Sequence, residues 1–163
     1  MQSILRIASG FAHLSQQFDD GIEAKGRRLV ILLYGPSGCG KTLTAESVAE
    51  TLRLALYRIS GGDLGTSSYE AENQLTKAFN RSSRWGAIML FDESDAFMTQ
   101  RREDSLERNA LVAVLLRLLE YQKGIIILTT NRRDNFDKAF STRIRASVGY
   151  DALQKKERES IWR

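Results

Sequence analysis

The segment Gly35-Pro36-Ser37-Gly38-Cys39-Gly40-Lys41-Thr42 follows directly on the apolar run Leu29-Val30-Ile31-Leu32-Leu33-Tyr34. An unbroken apolar run predicts a strand buried on both faces. The stretch from Thr42 to Leu52, rich in Ala and Glu, predicts a helix. A glycine-rich turn at the exit of a buried strand and the entry of a helix has the pattern G-x-x-x-x-G-K-[ST], which commits the chain to an α/β fold. The glycines let successive backbone N–H groups point inward around a phosphate, and the helix N-terminus adds its free donors and positive dipole end. Lys41 is expected to reach the β- and γ-phosphates of a nucleoside triphosphate, with the Thr42 hydroxyl on Mg²⁺. The candidate nucleotide-binding residues here are Gly35, Pro36, Ser37, Gly38, Cys39, Gly40, Lys41, Thr42 and Leu43.

Composition narrows the remaining choices. A chain of 163 residues is long enough to bury a full α/β core. The net charge of +4 is mild, and the basic residues are interleaved with acids, so nucleic acid is not indicated as a partner. The single Cys39 excludes an internal disulfide and suits a reducing compartment. No apolar run approaches the ~18 residues needed to span a bilayer. Met1 to Ser9 makes a poor signal peptide, so an intracellular protein is expected.

Apolar runs alternate with helical patterns along the chain. Strands are predicted at 29–34, 54–59, 87–92, 124–129 and about 146–150. Helices are predicted at 41–52, 69–83, 105–122, 137–141 and 152–163, and residues 3–17 carry a further helical stripe interrupted by Gly10. The alternation predicts a parallel sheet covered on both faces. The longest helix carries Leu106, Ala110, Leu111, Val114, Leu115, Leu118 and Leu119 at helical spacing and is stopped near Gly124. Residues 1–18 are expected to be an N-terminal helix and linker, and 19–163 the nucleotide-binding core.

Ile88-Met89-Leu90-Phe91-Asp92-Glu93 is an apolar strand closed by two acids. Asp92 is the candidate second metal residue beside Thr42. Glu93 is the candidate general base that takes a proton from the attacking water. The same pair also suits plain helix capping, and Asp95 is expected to cap the segment Asp95 to Thr99. Ile125-Ile126-Ile127-Leu128-Thr129-Thr130-Asn131 is a third buried strand with a polar end. Asn131 is the candidate for holding the lytic water in line, although Asn is equally a common turn residue.

These segments, with Leu128 to Arg132 and Phe136-Asp137-Lys138-Ala139-Phe140-Ser141-Thr142-Arg143-Ile144, resemble the AAA family of ATPases within the wider AAA+ class. They stand in the order of its Walker A, Walker B, sensor 1 and arginine-finger segments. Residues 41–50 and 106–112 look closest to little-characterised AAA proteins of filamentous fungi. The resemblance implies a P-loop NTPase three-layer α/β/α fold with a five-stranded parallel sheet. Its P-loop strand would be central, and the sensor strand would lie between that strand and the Asp92-Glu93 strand. It implies ATP and Mg²⁺ as ligands, adenine contact through Asp20, Gly21 and Ile22, and hydrolysis that drives remodelling of macromolecular assemblies. It also implies a ring, usually of six subunits, in which Arg143 reaches the neighbour's phosphate, with Arg145 as its substitute, and a protein substrate.

The chain departs from the family at three places. The finger segment is the short Ser141-Thr142-Arg143-Ile144-Arg145. The region Ser60 to Tyr69 lacks the aromatic-apolar-Gly triplet of threading loops. The chain is expected to end at the junction to the family's helical lid. Two other functions therefore stay open: a nucleotide-gated assembly module with little hydrolysis, and a clamp-loader-like DNA-dependent ATPase.

Overall fold

The computed structural model of the protein describes residues 2–17, 28–64, 67–95, 106–121, 123–132, 138–154 and 159. Its strands are β1 (Arg28–Tyr34), β2 (Leu56–Ile59), β3 (Ile88–Phe91), β4 (Gly124–Thr130) and β5 (Ala146–Gly149). Its helices are α1 (Gln2–Gln17), α2 (Lys41–Leu52), α3 (Ser68–Trp85), α4 (Leu106–Tyr121) and the single turn α5 (Lys138–Ser141). The strands form one sheet in the order β2-β3-β4-β1-β5, with every neighbouring pair parallel. This is the P-loop NTPase arrangement that the sequence predicts. The sensor strand β4 does lie between β3 and β1, although it is β4, and not β1, that takes the middle place.

The buried strands divide their side chains between two layers, as the two-residue repeat of a strand requires. Leu29, Ile31 and Leu33 of β1, Ile88 and Leu90 of β3, and Ile125 and Ile127 of β4 pack with Ala45, Val48 and Ala49 of α2 and with Ile4 and Ala8 of α1. Val30 and Leu32, Met89 and Phe91, and Ile126 and Leu128 face the other way, onto α3 and α4. Burial on both faces is why these strands read as unbroken apolar runs. Helix α1 runs through Gly10 without a break.

The helix ends follow local chemistry. The Ser67 side chain accepts the Glu70 N–H at the start of α3, and Gly86 ends it in the left-handed conformation. The buried face of α4 is broader than its sequence spacing suggests: Val112 and Leu116 are buried with Leu115 and Leu119, whereas Ala110 is exposed. The reason is that α4 packs against both the sheet and α3, so a single apolar stripe cannot cover its contacts. The expected helix at 152–163 is not seen at 152–154, which have no regular structure, whereas Glu159 is helical. Residues 155–158 and 160–163 lie outside the described residues. Among the described residues, no helix is long and apolar enough to cross a membrane.

Leu115 is fully buried, while Ala113 on the same helix faces solvent. Leu115→Ala is expected to lower unfolding free energy by about 2–5 kcal/mol, and Ala113→Ser by less than about 0.5 kcal/mol. Urea denaturation checks both. Equal losses would contradict the packing described.

Candidate active site

In a parallel sheet all strands end on one edge, and the loops leaving β1, β3 and β4 meet there. They enclose a cleft of about 340 Å³ lined by Ser37, Gly38, Gly40, Lys41, Thr42, Leu43, Arg58, Asp92, Glu93, Thr129, Thr130 and Asn131. Five residues singled out for chemistry thus come together: Lys41, Thr42, Asp92, Glu93 and Asn131.

The P-loop backbone needs its glycines. Gly35 has φ +148°, and a Cβ there would stand 2.3 Å from the Tyr150 carbonyl oxygen, so no other residue fits without moving β5. Gly40 caps α2 at φ 91°. Lys41 is 8% exposed, and its ammonium donates to the carbonyls of Gly35 and Pro36, each at 2.7 Å, and to Asn131 Oδ1 at 2.9 Å. An ammonium has three donors, and all three are satisfied. The lysine is thereby parked inside the loop, against acceptors it can exchange for phosphate oxygens. Cys39 is buried in the same loop, with its thiol 2.9 Å from the Pro36 carbonyl.

Asp92 is 4% exposed and fully engaged. Its Oδ1 accepts the hydroxyls of Thr42 at 3.0 Å and Thr129 at 2.6 Å. Its Oδ2 takes the Arg58 guanidinium at 2.6 Å. The Thr42 hydroxyl and the Asp92 carboxylate are hard oxygen donors, the type Mg²⁺ takes. Among the described residues, no three His, Cys, Asp or Glu side chains gather as a metal cage, so Mg²⁺ here would complete its shell with phosphate and water oxygens.

Glu93 is exposed to the cleft at φ 52°, left-handed backbone that a non-glycine residue seldom adopts. Its N–H donates to Thr129 Oγ1 at 3.0 Å. Ser94, fully buried, donates from its N–H and its hydroxyl to the Thr129 carbonyl at 2.8 and 2.7 Å. Asp95 accepts the Thr130 hydroxyl through one oxygen and the Asn131 N–H at 3.2 Å through the other. The turn after β3 is thus sewn to the end of β4, and this fixes where Glu93 and Asn131 stand. Backbone strain held by such a frame is characteristic of functional positions.

The β5 exit braces the P-loop from the other side. The Tyr150 hydroxyl donates to Thr44 Oγ1 at 2.8 Å, and the Thr44 hydroxyl donates to the Gly40 carbonyl at 2.9 Å. Burial pushes the Tyr150 hydroxyl above the usual tyrosine range, the Thr44 hydrogen bond opposes this, and the nearby Cys39 adds a smaller upward push.

The arginine-finger candidates stand elsewhere. Arg143 follows α5, before β5 begins, whereas the P-loop leaves β1 where that strand ends. Its guanidinium donates to the Ala139 carbonyl at 2.9 Å and lies 3.5 Å from the Glu120 carboxylate at the end of α4. Arg145 is exposed, with its N–H on the Val30 carbonyl at 2.9 Å. Neither lines the cleft of its own chain. Asp20, Gly21 and Ile22, the expected adenine segment, lie outside the described residues.

The family model for the ATPase family associated with various cellular activities (AAA) matches residues 31–151. The chain belongs to the AAA family of ATPases. Human ATPase family AAA domain-containing protein 3B is 33% identical over 139 residues, which cover 82% of this chain and 22% of that protein. Human ATPase family AAA domain-containing protein 3A is 33% identical over 139 residues, covering 82% of this chain and 24% of that protein. The Drosophila melanogaster homologue of 3A is 32% identical over 145 residues, with 85% and 24% covered. The AAA chain therefore spans about a quarter of the length of the curated relatives it matches.

Sequence reasoning does not find Arg58, Thr129, Thr130 or Tyr150, and it assigns Asp95 only to a helix cap. The polar pair Thr129-Thr130 closing an apolar strand is the one available signal. A pH test follows for Tyr150. Its raised pKa means a stabilising contribution that is complete below the ordinary tyrosine value of about 10 and lost as pH rises through the higher folded value. Tyr150→Phe is expected to cost about 0.5–1.5 kcal/mol at pH 8. The gap from wild type should narrow above about pH 10, as measured by urea unfolding across that range. A gap that widens would contradict the assignment.

Proposed function

We propose that this AAA chain binds ATP with Mg²⁺ and hydrolyses the β–γ phosphoanhydride. The observation that carries the reading is the meeting of Lys41, Thr42, Asp92, Glu93 and Asn131 in one cleft. Gly35 to Leu43 hold the nucleotide. The P-loop N–H groups and the Lys41 ammonium take the phosphate oxygens, and Lys41 gives up its carbonyl partners as it does so. Thr42 and Asp92 hold Mg²⁺, which supplies neutralisation of the phosphate charge. Glu93 accepts a proton from the attacking water, and the Asn131 amide holds that water in line. Freed from Lys41, the Asn131 oxygen is available for that task.

Arg143 acts on a neighbouring subunit. It lines no cleft of its own chain, and in the family the short helix before it lies on the subunit's flank, where a head-to-tail contact would meet the next P-loop. A ring, usually six subunits in the family, would bring each Arg143 to a neighbour's phosphate once it leaves Glu120. Such an assembly would drive remodelling of a protein substrate. The narrower kinship with AAA proteins of filamentous fungi rests on residues 41–50 and 106–112.

One mixing experiment tests phosphate site and finger together. Lys41→Ala should lose ATP binding and turnover, and Arg143→Ala should bind ATP and turn over little. Mixed in equal amounts, roughly a quarter of the interfaces in a randomly assembled ring pair an intact P-loop with an intact finger. Recovered ATPase activity in the mixture is expected. No recovery, with mixed oligomers demonstrated, contradicts a finger in trans. Calorimetric ATP affinity of Lys41→Ala within about threefold of wild type contradicts the phosphate site, because loss of a charge-assisted contact costs more than that.

A further inference from the structure

Arg58 belongs to no part of the mechanism above, yet it lines the cleft. It projects from β2, the edge strand, whose pairing sets Arg58 beside Leu90 of β3. The Asp92 N–H continues this pairing onto the Ile59 carbonyl at 2.9 Å, which brings the Asp92 carboxylate within reach of the Arg58 side chain. One guanidinium nitrogen lies 2.6 Å from Asp92 Oδ2. The other carboxylate oxygen is occupied by the hydroxyls of Thr42 and Thr129.

We propose that Arg58 is the resident counter-cation of Asp92, which Mg²⁺ must displace, so that it sets the metal concentration at which bound nucleotide becomes loaded. The inference rests on the ATP-site reading above. A hard divalent ion is drawn by the full negative charge of its carboxylate, and a guanidinium on the same carboxylate removes much of it. The two cations therefore compete for one group.

The competition is reversible because the arginine is weakly committed. Its side chain is 57% exposed while that of Asp92 is 5% exposed, so the pair can open from the arginine end without uncovering the acid. With its guanidinium reaching solvent, the arginine can exchange the carboxylate for water more readily than a partner buried on both sides could. A second anion stands ready nearby. The Asp63 carboxyl is held below the usual range by the Ser60 N–H first and the Ser60 hydroxyl second, and in smaller part by Arg58. In the absence of metal, the same contact keeps a buried carboxylate paired, which limits the cost of an empty metal position.

The test uses the 163-residue chain and a fluorescent ATP analogue. Binding is measured first in EDTA, and MgCl₂ is then titrated while fluorescence reports metal loading of the bound nucleotide. Arg58→Gln is expected to lower the Mg²⁺ midpoint by about two- to fivefold, the range an exposed ion pair supports. Arg58→Lys, which keeps the charge, should stay near wild type. Arg117→Gln removes a cation from the distant exposed pair with Glu72 between α4 and α3, and it controls for net charge. Its midpoint should not move. A midpoint unchanged or raised in Arg58→Gln overturns the inference, as does an equal fall in Arg117→Gln. A wild-type chain that binds no nucleotide overturns the ATP-site reading and this inference with it. Binding in EDTA with an Arg58-independent midpoint overturns this inference alone.

Discussion

One carboxylate oxygen registers the active edge of this molecule. Asp92 Oδ1 accepts hydroxyls from Thr42, at the first turn of α2, and from Thr129, at the end of β4. Three segments far apart in the chain are thereby tied at one buried atom. Hydrogen bonds to a charged group contribute about 1.5–3 kcal/mol each, and removing a partner leaves a desolvated charge. Thr129 then passes the constraint on, because its hydroxyl oxygen also receives the Glu93 N–H and its carbonyl receives Ser94. Glu93 can sit in left-handed backbone because both sides of its turn are held.

The sheet makes this knot possible. Parallel pairing of β3, β4 and β1 aligns their ends, and the register that sets Ile31 beside Ile127 also sets Leu33 beside Thr129. The interior side chains alternate between two apolar layers, so a slip of one residue would turn a whole strand's core into the wrong layer. The buried layers thus fix the polar ends to within a fraction of a residue step. That is the precision at which hydroxyl and carboxylate can meet.

Much of this was legible in the chain. The apolar runs declare strands buried on both faces, and Gly35 to Thr42 declares where one of them turns into a helix. The acids after Phe91 and the amide after Thr130 stand at strand ends, which parallel topology must bring together. What the chain hides are side-chain pairings across long sequence separations. Arg58 reads as an ordinary charge within a short strand, since nothing local says that it faces Asp92. Thr129 and Thr130 read as strand residues, and only the sheet shows Thr129 donating to Asp92 and accepting the Glu93 N–H, and Thr130 donating to Asp95. The buried face of α4 is broader than its periodicity indicates because periodicity registers one partner surface, and the helix has two. Tyr150 looks like a strand end, and its brace on Thr44 depends on the close passage of β5 over Gly35.

The central claim is that this frame aims Glu93 at water beside a bound triphosphate. The direct measurement compares Glu93→Gln with wild type for ATP affinity by calorimetry and for hydrolysis in a single turnover. The amide fills the same space but accepts no proton. Affinity should stay within about threefold while the hydrolysis rate falls about 10²- to 10⁴-fold, the span a general base contributes. Hydrolysis by Glu93→Gln at the wild-type rate would contradict the account.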